Sequence, residues 1–184
     1  MLSRNESYTE LQKYVQNKNL LKHMLSTEAV MLRLAKHFDQ DPDVWGLAGL
    51  LHDIDYEDTK DQPEVHGLKG AEVLAGLGFP GEMTHAVKAH NERLGFARES
   101  LLDKALYATD PLTGLIVAGA LIRSETRLSA IDVTFLRKRF DEKSFARGAN
   151  RQQILACSEL GLTLEEFLGL GLEAMQGISE ELEL

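Results

Sequence analysis

VWGLAGLLHDIDYE, residues 44–57, runs through eight apolar or glycine residues and then turns abruptly polar at an HD doublet. Asp41, Pro42 and Asp43 precede it, supplying a cap, a first-turn proline and a first-turn acid, so a helix begins here. That helix is apolar nearly all round, which places it at the centre of the molecule. Its end delivers His52 and Asp53 from buried surroundings. An ionised carboxylate in such a place is costly unless it meets a cation. The competing reading of Asp53 is a helix-end aspartate turned to solvent.

Outward from this segment the chain reads as helices separated by short polar breaks, an all-α pattern with no strand alternation. Residues 18–38 repeat Leu20, Met24, Thr27, Met31, Leu34 and Phe38 at three- and four-residue steps. Residues 54–64 read as a polar loop. Helices are predicted over 64–77, 81–91 and 100–110, with Gly76 and Gly78 stopping the first before Phe79-Pro80. Pro111 is expected to end or kink the third, and another helix runs over 112–123. Further helices are predicted over 133–142, 150–159 and 163–182, followed by a frayed acidic tail.

Two more polar residues share the tension at Asp53. Asp110 continues the four-residue spacing of Leu102 and Leu106, a carboxylate on an apolar stripe. It is otherwise an exposed aspartate turning the chain before Pro111. His23 lies on the same side of its helix as Leu20, Thr27 and Val30, where a lone histidine is ordinarily a satisfied core residue. Imidazole and carboxylate together are ligands for zinc, iron, manganese or nickel.

The ordered set His23, His52-Asp53 in LLHD and Asp110 in YATDPLTGL resembles the H…HD…D signature of the HD superfamily, over residues 20–122. The resemblance implies a compact helical HD-domain fold with a metal-binding core over 18–123, inside a single domain 1–184 with a C-terminal helical extension over 124–184. It implies a metal-dependent hydrolase that cleaves a phosphate ester or anhydride of a nucleotide or other small phosphorylated metabolite with metal-activated water. His66 in HGLKGAEVL and His90 in AVKAHN look like the additional ligands of the two-metal branch, which includes bacterial diadenosine tetraphosphate hydrolases. One or two divalent transition-metal ions are thus expected on His23, His52, Asp53, His66, His90 and Asp110, with Asp53 bridging. Gly70, one turn after His66, leaves room for another element. Their non-metal readings are an exposed helix start for His66 and a helix-end imidazole for His90. His85 is rotated about 140° from His90, and His37 lies roughly 20 Å along the axis from His23, so neither joins the set.

Asp53 and His52 carry the catalytic expectation, with Asp55 as a candidate to orient water and Glu57 as a second. The sequence departs from the family's common HDIGK form at Asp55 and Tyr56, so no lysine role transfers. Lys69, Lys88 and Arg93 are candidate phosphate contacts. Lys143 and Arg147 join them from RKRFDEKSFARGANR, residues 137–151, a basic stretch that otherwise reads as a solvated helix or a homo-oligomer contact. The formal net charge of −9 makes nucleic acid a poor bulk partner, while a small anionic substrate is compatible with local cations and metal. No apolar run nears the roughly 18 residues of a membrane span. A single cysteine and a polar N-terminus suit the cytoplasm. P-loop, dinucleotide, G-x-S-x-G and C-x-x-C motifs are absent. The rival readings are an iron-dependent oxygenase or hydratase of HD type and a nucleotide-binding regulatory module.

Overall fold

The computed structural model describes residues 1–142 and 144–184, and it is all-α, with no strand among the described residues. The helices are α1 (Arg4–Leu11), α2 (Lys18–His37), α3 (Pro42–Leu51), α4 (Tyr56–Thr59), α5 (Leu68–Gly76), α6 (Gly81–Ala89), α7 (Leu101–Leu121), α8 (Val133–Phe140), α9 (Arg151–Leu155), α10 (Leu164–Gln176) and α11 (Ser179–Leu182). None is long and apolar enough to cross a membrane.

The central pair is α2 and α3. Asp41 accepts from the N–H groups of Asp43 and Val44, Pro42 opens α3, and residues 44–51 are all buried. Gly49 sets the closeness of the pair. A Cβ there would lie 2.8 Å from the carbonyl oxygen of Thr27 and 2.9 Å from the backbone of Glu28. The missing side chain lets α3 rest on the backbone of α2, and so brings the end of α3 beside His23.

Several expectations change, and a helix appears where none was predicted. Residues 4–11 are helical although their pattern is mostly polar. Ser3 and Glu6 form a capping box, Ser7 and Leu11 are buried, and the Arg4 guanidinium holds buried Glu28 with two bonds of 2.9 Å. Helix α5 starts at Leu68 rather than 64, because Gly67 has φ +85°, outside helical geometry. Pro111 does not end α7, which runs through it. The 163–182 helix divides into α10 and α11, with Ile178 at φ −122° between them. The tail packs rather than frays: Leu182 is buried and Glu183 pairs with Lys22 at 2.6 Å. Helices α8 and α10 pack on α7, and α10 also on α2, so the segments after 123 share the core with α2 and α7.

Candidate metal centre

Three helices and one loop deliver four imidazoles to a common point. His23 comes from the first turns of α2, His52 caps α3, His90 caps α6, and His66 precedes Gly67. Each ring is held by its Nδ1. His52 Nδ1 donates to the Gly49 carbonyl at 2.8 Å and His90 Nδ1 to the Val87 carbonyl at 2.6 Å. His66 Nδ1 donates to Asp55 Oδ1 at 2.9 Å. The Thr113 hydroxyl spends its proton on the Asp110 carbonyl at 3.0 Å, so its oxygen accepts from His23 Nδ1 at 3.0 Å. With all four Nδ1 atoms donating, the four Nε2 atoms present lone pairs.

Those lone pairs face one another. His23 Nε2 lies 3.2 Å from His52 Nε2, and His66 Nε2 lies 3.1 Å from His90 Nε2. Asp53 stands between the two pairs. Its Oδ2 is 3.6 Å from His23 and 3.5 Å from His52, and its Oδ1 is 3.2 Å from His66 and 3.5 Å from His90. Ligand atoms about 2.1 Å from one ion sit roughly 3.0–3.4 Å apart, so these spacings are those of coordination edges. Paired lone pairs at such distances need a cation between them, and the residues therefore fit a divalent metal on each side of Asp53. His23, His52 and Asp53 form one compact group of ligand atoms, and Asp53, His66 and His90 the other. Asp110 joins the first through Oδ1, 3.2 Å from His23 and 3.9 Å from His52.

The electrostatics follow from this packing. Burial opposes ionisation of Asp53, but the surrounding histidines, His52 and His66 foremost, override it and hold the carboxyl well below its usual range. Asp110 is likewise lowered against burial by His23, whose imidazole is raised in return. Burial drives His52 down to about 4 despite the pull of Asp53. His66 goes the other way: Asp53 and Asp55 outweigh burial and push it up to about 10.

Asp55 lies behind the site, not in it. It is 5 % exposed, and its Oδ2 accepts from the backbone N–H groups of Gly67 at 2.8 Å and Gly70 at 2.9 Å. The expected water-orienting acid is thus a brace that aims His66. Gly67 completes the arrangement, since a Cβ there would meet the Val87 carbonyl at 2.7 Å, against the helix end that carries His90. Asp55→Ala would free His66 and leave two buried N–H groups without their acceptor. Metal titration should show affinity on the His66–His90 side falling about 10–100-fold, with the His23–His52 side retained. Equal loss on both sides would show that Asp55 supports the whole fold instead.

His23, His66, His90 and Asp53 open into a cleft of about 530 Å³, also lined by Leu20, Tyr56, Asn91, Glu92, Arg93, Asp110 and Gln153. Among the described residues Arg93 is the one lysine or arginine on its wall, and it makes no ion pair. Lys69, Lys88 and Arg147 do not line it; Lys88 sits 5.1 Å from the Phe96 ring centroid. Lys143 lies outside the described residues. Among the described residues, no lysine or arginine of the basic stretch 137–151 lines the cleft. Arg137 pairs with Asp141 and Glu165, Arg139 pairs with Glu142, and Arg151 donates to the carbonyls of Phe140, Phe145, Ala146 and Ala149. Glu57 accepts from the N–H groups of Gln16 and Asn17 at 2.8 and 2.6 Å, tying down the entry to α2. His37 and His85 stay apart from the site, His85 bonded to Asp103 at 3.1 Å.

A helical frame that gathers these histidines and aspartates into two overlapping groups of ligand atoms is compatible with metal binding. The HD domain family matches residues 20–118, just over half the chain, and the chain belongs to that family. It is 33% identical over 78 residues to a ribonuclease Y of Opitutus terrae, covering 42% of this chain and 15% of that protein. It is 30% identical over 96 residues to a ribonuclease Y of Lawsonia intracellularis, covering 52% of this chain and 18% of that protein. The matches thus span less than a fifth of these relatives' own length, and neither is a dinucleotide hydrolase by name. No solved structure matches.

Proposed function

We propose that the chain hydrolyses a phosphate ester or anhydride on a small molecule, with its metal ligands partitioned as two sets that share Asp53. The observation that carries this reading is the pair of ligand groups on the two oxygens of one carboxylate, at the base of a cleft of small-molecule size. When bound there, divalent metal supplies water acidified towards neutral pH and neutralises charge on phosphoryl oxygens.

The remaining work belongs to the side chains. Asp53 is ionised throughout the neutral range and gives one oxygen to each side. The braced Nδ1 atoms keep the Nε2 atoms aimed without reorganisation. Arg93 offers a guanidinium to an incoming phosphate. One cation beside Glu92 and Asp110 suits a compact phosphate group and not a run of phosphodiesters, which would need several. That favours a small substrate over the polynucleotide that the relatives' name carries.

The test is a panel. Metal-stripped protein is reloaded with manganese, iron(II), zinc or nickel and offered nucleotides, sugar phosphates, dinucleoside polyphosphates and single-stranded RNA. Phosphate release from small esters or anhydrides is expected, and Arg93→Ala should raise KM about tenfold with kcat largely kept. Oxygen consumption without phosphate release, or cleavage of RNA alone, would overturn the reading.

A further inference from the structure

Pro111 has no N–H, so the carbonyl of Tyr107, four residues earlier, finds no partner within α7. Tyr107 is buried, and an unserved carbonyl there is costly. The partner comes from the C-terminal segment: Gln153 Nε2 donates to the Tyr107 oxygen at 2.9 Å. Asn150 fixes the start of α9, accepting from the N–H groups of Gln152 and Gln153 at 3.0 and 3.3 Å. This contact settles which way the amide faces. Turning it over would set two oxygens against each other, so the NH2 end must meet Tyr107 and Oε1 must take the other edge.

That second edge has no donor. Gln153 is 9 % exposed, it lines the cleft together with Asp110 and Arg93, and among the described residues nothing donates to its Oε1. A nine-tenths buried amide, locked at one end and unserved at the other, is an acceptor waiting on whatever enters the cleft. The acceptor is neutral, so it suits a neutral donor. A cationic group would be drawn instead to the Glu92 and Asp110 carboxylates on the same wall. With the phosphate held near the candidate metal ligands and Arg93, the neutral donor common to sugar and nucleoside phosphate esters is a hydroxyl.

We propose that Gln153 is a specificity-determining residue whose Oε1 accepts a hydrogen bond from a hydroxyl on the alcohol portion of the substrate, so that the cleft selects hydroxyl-bearing phosphomonoesters. The proposal rests on the phosphohydrolase reading above and narrows it. It also gives residues after 123 a part in the site.

The experiment compares kcat/KM for matched esters in the metal-loaded full chain: adenosine 5′-monophosphate with its 2′-deoxy and 3′-deoxy counterparts, and glucose 6-phosphate with its singly deoxygenated counterparts. The wild type should favour the fully hydroxylated member of at least one series by about tenfold or more over one deoxy position. Gln153→Met should bring that ratio to about one while metal content stays at the wild-type level. A purely structural Gln153 would lower the melting temperature and leave the ratio where it was. The wild-type series reads the preference even where the variant folds poorly. No preference in the wild type, or one that survives Gln153→Met, overturns the assignment of Gln153 while the phosphohydrolase reading stands. Release from anhydrides but from none of these esters overturns the assignment of Gln153 alone, and no release from any ester or anhydride overturns both.

Discussion

Asp53→Ala will abolish metal binding on both sides of the site and cut phosphate release about a thousandfold or more, while the far-ultraviolet circular dichroism keeps its helical form. The size follows from what the residue does. Among the described residues, Asp53 is the one side chain whose two oxygens reach both groups of imidazoles, at 3.2–3.6 Å. Its removal takes a ligand from each ion together with the negative charge that favours cations there. Losing several kcal/mol of metal-derived stabilisation of a phosphoryl transition state corresponds to three or more powers of ten in rate. Helicity survives because α2, α3 and α7 are held by a core that does not include Asp53. Full metal occupancy in this variant, measured by elemental analysis, would refute the bridging role.

The double variant His66→Ala/His90→Ala will keep about one metal per chain and lose about a hundredfold or more in turnover. His23, His52, Asp53 and Asp110 form a nitrogen-and-oxygen set that does not depend on the other pair. What the variant loses is the second positive centre, which can no longer share a nucleophile or a phosphoryl oxygen with the first. Elemental analysis and single-turnover phosphate release read the two effects separately. Unchanged metal content with unchanged turnover would make His66 and His90 helix-end residues only. Complete loss of metal would show that the two groups are one inseparable site.

The residues that gather at the candidate site were legible because they break local rules. Asp53 and Asp110 are carboxylates on apolar surfaces, and His23 interrupts a core stripe, so each needed an explanation beyond packing. The order of the motifs then tied them together. The helices with strong apolar periodicity, such as α2 and α3, were legible for the same reason. Helix α1 was not: its Ser3–Glu6 capping box is local, but its pattern is mostly polar and its Arg4–Glu28 pair reaches a partner 24 residues away. Asp55 read as a candidate for catalysis because its three partners, His66, Gly67 and Gly70, meet only once Gly67 turns the chain with a positive φ. Thr113 carried a faint signal, three residues after Asp110 on one helix face, and was passed over. Gln153 carried none of its own. Its clue was Pro111: a proline inside a helix implies an orphaned carbonyl four residues back, and so a donor from elsewhere in the chain. Among the cations, Lys69, Lys88, Arg93 and Arg147 look alike in sequence, and only the fold sets Arg93 on the cleft wall.

Anomalous diffraction from a crystal of the metal-loaded wild type tests the central claim most directly. The account predicts two peaks per chain, one on each side of the Asp53 carboxylate, the first against His23, His52 and Asp110 and the second against the Nε2 atoms of His66 and His90. A single peak, or imidazoles of His66 and His90 turned away from any ion, would contradict it.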